Sequence, residues 1–173
     1  MEKTKQIILV DVSIKIETIK EFLIKNPNIK IISFDYESHE ILKKEGVLHD
    51  ISENFLKENN FDYIQKQVYE KVKWYNETVA EKYLTYEGIN LGKLVHGETH
   101  IFLVSLFKKF HEILNIYKTY PDHFFITSYE LHKFISILTK STLKINSFDK
   151  TPKVGEDAYM KIGGKHSNIF IGR

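Results

Sequence analysis

Two patterns in this chain have residue types and spacings that could do chemistry. The first is His96-Gly-Glu-Thr-His100, which sets two imidazoles at i and i+4 on one helix face, a spacing that can chelate a metal. It is not the His-Glu-x-x-His arrangement of metalloproteases, because Glu98 sits two residues after His96 and points largely away. No spacing fixes a third ligand, although His111 is of the right type, so no metal site is assigned and the segment reads as the start of a cleft-lining or interface helix. The second pattern is a set of polar residues that closely follow short apolar runs or close them: Asp11 and Ser13, Asp35 with Tyr36 and Glu37, His49 and Asp50, then Thr127, Ser128 and Glu130. If the runs are parallel strands, these residues gather at the one edge where α/β proteins bind ligands. The same residue types serve more commonly as helix N-caps. His49 is the acid/base candidate by type, although an isolated histidine is usually structural.

Several familiar constellations are missing. No Gly-x-Gly-x-x-Gly or P-loop follows the first apolar run, which argues against an ordinary NAD or ATP site, and no cofactor is expected. Asp11-Val-Ser lacks the second Asp of a haloacid-dehalogenase nucleophile motif, and no Gly-x-Ser-x-Gly elbow occurs. Gly155 and Gly163-Gly164 have no strand–loop–helix context. The chain contains no Cys, which removes disulfides, thiolate metal sites and a cysteine nucleophile.

Elements that would position these residues can be read from periodicity. Gln6-Ile-Ile-Leu-Val-Asp11 has four consecutive aliphatics, as in a strand buried on both faces. Ile16, Ile19, Phe22 and Leu23 share a helical face that Asn26-Pro-Asn28 ends. A second strand over 29–34, a helix over 38–44 closing at Gly46, and a third strand over 47–51 follow. From 54 to 120 no strand is expected. Phe61, Ile64, Val68, Val72 and Tyr75 mark one helix. Leu94, Ile101, Val104, Phe107, Phe110, His111 and Leu114 mark a second, long one. Trp74, Tyr75, Tyr83 and Tyr86 are of types that stack on sugar rings, but aromatics at helical spacing are more often core. The α/β rhythm returns with a strand at 123–127, Ser128 as N-cap of a helix to 140, and a last strand at 142–145. The expectation is an α/β domain with a mostly parallel sheet of about five strands, flanking helices and a long helical insertion over 54–120. Residues 1–148 form the domain and 149–173 a tail.

Composition narrows the function classes. The 173 residues suit one domain with a real core, and 42% hydrophobic residues is a globular value. A net charge of +2, built from scattered lysines, gives no basic stripe, so nucleic acid is not an expected partner. No apolar stretch is long enough for a signal peptide core or a membrane span, and the expected location is cytoplasmic.

Taken in order, Ile7-Ile-Leu-Val-Asp11, Ser33-Phe-Asp-Tyr-Glu37, Ile41-Leu-Lys-Lys-Glu-Gly46, the insertion with Tyr86-Glu-Gly-Ile-Asn-Leu-Gly92, and His123-Phe-Phe-Ile-Thr-Ser128 carry a resemblance. Over residues 6–148 the chain resembles the N-terminal, Rossmann-like half of GT-B-like glycosyltransferases of surface carbohydrate (polysaccharide) biosynthesis. The resemblance implies a lobe that holds a sugar or glycan acceptor, facing a second lobe that would bind the nucleotide-sugar. The implied acceptor-facing residues are Asp11, Ser13, Asp35, Glu37 and Ser128, with His49 or His96 as base. Because the chain stops where the second lobe would start, it is expected to be truncated or to take that lobe from a partner, and to be inactive alone. The rival expectation is a non-catalytic binding or assembly module that forms a homodimer through the insertion.

Overall fold

The computed structural model describes residues 5–145 and is an α/β structure built on a five-stranded parallel sheet. Strands β1 (Gln6–Val10), β2 (Lys30–Ser33), β3 (Asp50–Ile51), β6 (Phe124–Thr127) and β7 (Thr142–Lys144) lie in the order β3-β2-β1-β6-β7, a Rossmann-like arrangement. Two further short strands, β4 (Thr85–Tyr86) and β5 (Ile89–Asn90), pair only with each other. Helices α1 (Ile16–Lys25) and α2 (Tyr36–Lys44) cover one face of the sheet, over Ile8, Val10, Ile19, Ile31, Leu42 and Ile126. On the other face α5 (His96–Thr119) and α6 (Tyr129–Leu138) close over Ile7, Leu9, Ile32, Phe125, Ile113, Ile116, Leu131 and Ile135. Apolar side chains on both faces of β1, β2 and β6 explain why those strands read as unbroken aliphatic runs. No helix among the described residues is long and apolar enough to cross a membrane.

Several sequence expectations are corrected in detail. The third strand is two residues long rather than 47–51, because Gly46 takes a left-handed φ of 66° and residues 47–49 are still turning towards the sheet. The expected tail at 149–173 lies outside the described residues. The insertion does contain strands. Glu87 and Gly88 adopt φ of 48° and 79°, the paired positive values of a tight type I′ connection, so the segment read as a break folds into the β4–β5 hairpin. The insertion's first helix is α3 (Glu58–Lys71), with Ile64 and Val68 buried and Val72 buried just beyond its end. Phe61, assigned to the same stripe, is 48% exposed. A short helix α4 (Thr78–Leu84) precedes the hairpin.

Helix α5 does not use the face assigned from the sequence. Its buried residues are Glu112, Ile113 and Ile116, while Ile101, Val104, Phe107, Phe110, His111 and Leu114 are only half-buried and Leu94 lies outside the helix. The cause is that only the last two turns of α5 meet the sheet. Tyr120, at its C-terminus, receives the Lys30 ammonium from the start of β2 over its ring, whereas Glu112 bonds to Ser52 at the exit of β3. The helix therefore runs antiparallel to the strands. The 16 residues from 112 back to 96 rise about 24 Å at 1.5 Å each, beyond the strands' carboxyl ends. This arm is braced by α3, through Tyr63 against His111 and Asn60 near Asn115. Burial, with Lys118 nearby, holds the His111 ring below the usual imidazole range.

At the far end of the arm the turn at residues 74–76, the hairpin and the turn over 91–95 interlock. Asn90 donates to the Tyr75 carbonyl at 3.0 Å and accepts from Gly92 N at 2.9 Å. Gly92 is needed for close approach: a Cβ there would stand 2.2 Å from Cβ of Tyr75. Gly92→Ala should therefore destabilise the chain by roughly 1–3 kcal/mol through overpacking. Amide exchange should accelerate across residues 72–96 while the sheet amides keep their protection. Unchanged exchange in the arm would refute the interlock.

Candidate functional site

The carboxyl ends of the parallel strands open on one ledge, and the turns that leave them carry most of the polar residues picked out from the sequence. After β1 the chain turns through Asp11, Val12 and Ser13. After β2 it enters α2 at Asp35, and after β6 it enters α6 at Ser128. Helices α1 and α6 leave neighbouring strands β1 and β6 on opposite faces, so Asp11 and Ser128 stand at the topological switch point where open α/β sheets bind ligands.

Here the switch point is closed by its own side chains. Asp11 is 1% exposed, and its Oδ1 accepts from Ser13 N at 3.0 Å and from Ser13 Oγ at 2.5 Å. Its Oδ2 accepts from Ser128 Oγ, also at 2.5 Å. Ser128 meanwhile caps α6 by accepting from Leu131 N. Asp35 performs the matching task one strand over. Its Oδ1 accepts from Ser38 N at 2.7 Å as the N-cap of α2, and its Oδ2 accepts from Val12 N at 2.8 Å in the neighbouring turn. Asp11, Ser13, Asp35 and Ser128 are thus brought together, as expected, but as internal braces between turns. Among the residues picked out, Glu37 and Tyr36 are exposed on the ledge, and Glu130 is half-buried beside Lys133.

The two histidines assigned as bases lie elsewhere. His49 precedes β3 and lies one residue before Asp50, whose partner is Ile32 within β2, so it is at the outer sheet edge and not past a strand end. There it lines a depression of about 350 Å³ with Lys30, Leu48 and Asp50. The Asp50 carboxylate at 2.5 Å holds the Lys30 ammonium above the usual lysine range. His96 opens α5 at the far end of the arm, with Nδ1 2.8 Å from the Tyr75 hydroxyl and its ring stacked on His100. No group of three or more His, Asp or Glu side chains placed to hold a metal ion occurs among the described residues.

Sequence reasoning missed a third polar cluster at the ledge. Glu112, 2% exposed, accepts from Ser52 Oγ at 3.1 Å, and Lys108 lies 3.8 Å from its other oxygen while also bonding Glu53 at 2.5 Å. The available signal was a charged pair at i and i+4, Lys108 and Glu112, inside an otherwise apolar helix. By helical spacing the Glu112 face continues up the arm as Lys109, Lys108, Ser105, Phe102 and Ile101, so α5 overlooks the ledge with a mixed wall. Of the aromatics, Tyr75 is buried as expected for core, but Trp74, Tyr83 and Tyr86 are 40%, 78% and 65% exposed.

No known protein family, curated protein or solved structure matches the chain.

Asp11→Ala would leave the Ser13 and Ser128 hydroxyls and Ser13 N buried without their acceptor. A loss of about 2–4 kcal/mol is expected in urea unfolding, and roughly half that for Asp11→Asn, which keeps one carbonyl oxygen. Equal stability in Asp11→Ala would show that the carboxylate is not the brace.

Proposed function

We propose that this chain is the acceptor-side, Rossmann-like lobe of a glycosyltransferase-like protein of surface polysaccharide biosynthesis, and that it does not transfer sugar alone. The observation that carries this reading is the ledge. A rigid parallel sheet ends in one polar edge at a topological switch point, overlooked by the α5 wall. A sugar acceptor is recognised by carboxylates and hydroxyls for its hydroxyl groups and by an aromatic ring for its apolar face. Glu37 and Tyr36, exposed after β2, supply the first contacts, with Ser105 and Phe102 of α5 opposite. Asp11, Ser13, Asp35 and Ser128 hold the ledge in shape beneath them. His96 lies at the far end of the arm, and both ring nitrogens of His49 are engaged, by His39 and the Val47 carbonyl, so a base and the donor site would come from the second lobe. A specific observation supports the rival reading, a module that dimerises through the insertion: Leu94, Val95 and Phe102 are 69%, 46% and 45% exposed.

Ligand-induced thermal stabilisation separates the two. Acceptor oligosaccharides at about 100 times the dissociation constant should stabilise the chain by about 2.7 kcal/mol. Free nucleotides should give no shift, and Glu37→Gln with Tyr36→Ala should abolish the sugar response while circular dichroism stays native. Stabilisation by nucleotide-sugars would replace the acceptor reading with a donor site. No response to any sugar, together with a concentration-dependent melting temperature, would establish the dimerising module in its place.

A further inference from the structure

At the sheet's outer edge two histidines from different elements face each other. His39 Nδ1, on α2, is 2.8 Å from His49 Nε2, in the segment leading into β3. The other nitrogen of His49, Nδ1, is 2.7 Å from the Val47 carbonyl oxygen. A carbonyl only accepts, so His49 Nδ1 carries a hydrogen, and in the neutral ring Nε2 is then a lone pair. His39 must donate from Nδ1 to reach it. The remaining nitrogen, His39 Nε2, lies 3.8 Å from a Glu40 carboxylate oxygen.

We propose that His39 and His49 form a binding site for a divalent transition metal of the zinc type, ligated through His39 Nδ1 and His49 Nε2. The two nitrogens now face each other across a direct hydrogen bond. On the far side of His49 the Val47 carbonyl fixes the ring as an outer-sphere partner of a metal ligand does, and a Glu40 carboxylate oxygen lies 3.8 Å from His39 Nε2. Two imidazoles on a tetrahedral metal at about 2.0–2.1 Å have facing nitrogens about 3.3 Å apart and ring centroids about 5 Å apart. The centroids here are 5.0 Å apart, so binding requires the rings to tilt without separating. The proton balance is closed within His39. The hydrogen leaves Nδ1, which frees a lone pair for the metal, and is regained at Nε2, 3.8 Å from the Glu40 carboxylate, so the neutral pair releases no net proton.

The pair is open to water on the Leu48 side, since Leu48 is 93% exposed, and His49, though not His39, lines the 350 Å³ depression. Lys30 on its floor is neutralised by Asp50 at 2.5 Å and so does not oppose a cation. With two protein ligands the remaining positions go to water, which makes this an open site, in contrast to the closed set of a structural zinc. His96 and His100, at the more conspicuous sequence spacing, are less suited: the Tyr75 hydroxyl holds His96 Nδ1 and the rings stack.

The test titrates the untagged full chain with Zn²⁺ by calorimetry and with Co²⁺ by visible absorption, in a mildly alkaline, phosphate-free buffer. One ion per chain is expected. His39→Asn and His49→Gln each place an amide near the position of the ligating nitrogen, which keeps a polar contact but ligates poorly. Each should weaken Zn²⁺ binding by at least about tenfold, while circular dichroism stays native. His96→Gln should bind as the parent does. Absence of binding up to millimolar metal, equal affinity in His39→Asn and His49→Gln, or a loss confined to His96→Gln would each overturn the assignment.

Discussion

The Asp11 carboxylate is the constraint on which the rest of the sheet depends. Strands β1, β2 and β6 are apolar on both faces through their middles, so sliding one of them by a residue exchanges one apolar side chain for another over much of its length. In a sheet with one wet face such a slip buries polar groups and is strongly opposed, but here that penalty is absent. Register must come from elsewhere. Asp11 supplies it by accepting from Ser13 on its own strand's turn and from Ser128 at the end of β6. A one-residue shift of β6 would move Ser128 from Asp11 and put there Thr127 or Tyr129, whose hydroxyls the α6 cap does not hold in place. Asp35 adds the same control over β2 through Val12 N. A buried ion is costly unless fully hydrogen-bonded, and this makes the pairing selective as well as stabilising.

Helix α5 extends the same logic to the second layer. Its C-terminal turns bury Ile113 and Ile116 against the sheet, which sets the helix on that face but leaves sliding along its axis open. Glu112, bonded to Ser52 at the exit of β3, fixes the axial position, and Lys108 ties the adjoining Glu53 to the same helix. The height of the arm above the ledge is thus determined by a polar contact, and everything beyond Lys108 inherits it.

The elements legible in the sequence were those whose signal is local. β1, α1, α2 with Gly46 behind it, and Ser128 as the cap of α6 all follow from periodicity or from the chemistry of one residue. The β4–β5 hairpin was missed because its turn is Glu87-Gly88, with Glu in a left-handed conformation usually taken by Asn or Asp. The face of α5 was misread because a helix that meets the sheet over two turns and leaves it for four has no single apolar stripe. Residue types at the site were legible, since Asp11, Ser13, Asp35 and Ser128 do converge. Their occupation was not: whether a carboxylate at a strand end faces a ligand or its neighbours depends on what lies 117 residues away, as Ser128 does from Asp11. His39 opposite His49 was hidden for the same reason, because a spacing of 10 residues across a helix end and a turn has no periodic signature.

A ledge held this tightly divides the labour of recognition. Releasing Asp11 or Ser128 to a ligand would break the contact that fixes β6 against β1, so a binder that used them would loosen the sheet it stands on. Under the proposed acceptor reading, contacts with a ligand would fall to side chains outside those braces, Tyr36 and Glu37 in the first turn of α2 and the Phe102 face of α5. The same separation explains why large exposed apolar groups such as Tyr83, Tyr86 and Leu94 collect at the far end of the arm. Nothing in the sheet's register depends on them, so that end can be shaped for a partner while the braces beneath keep the fold.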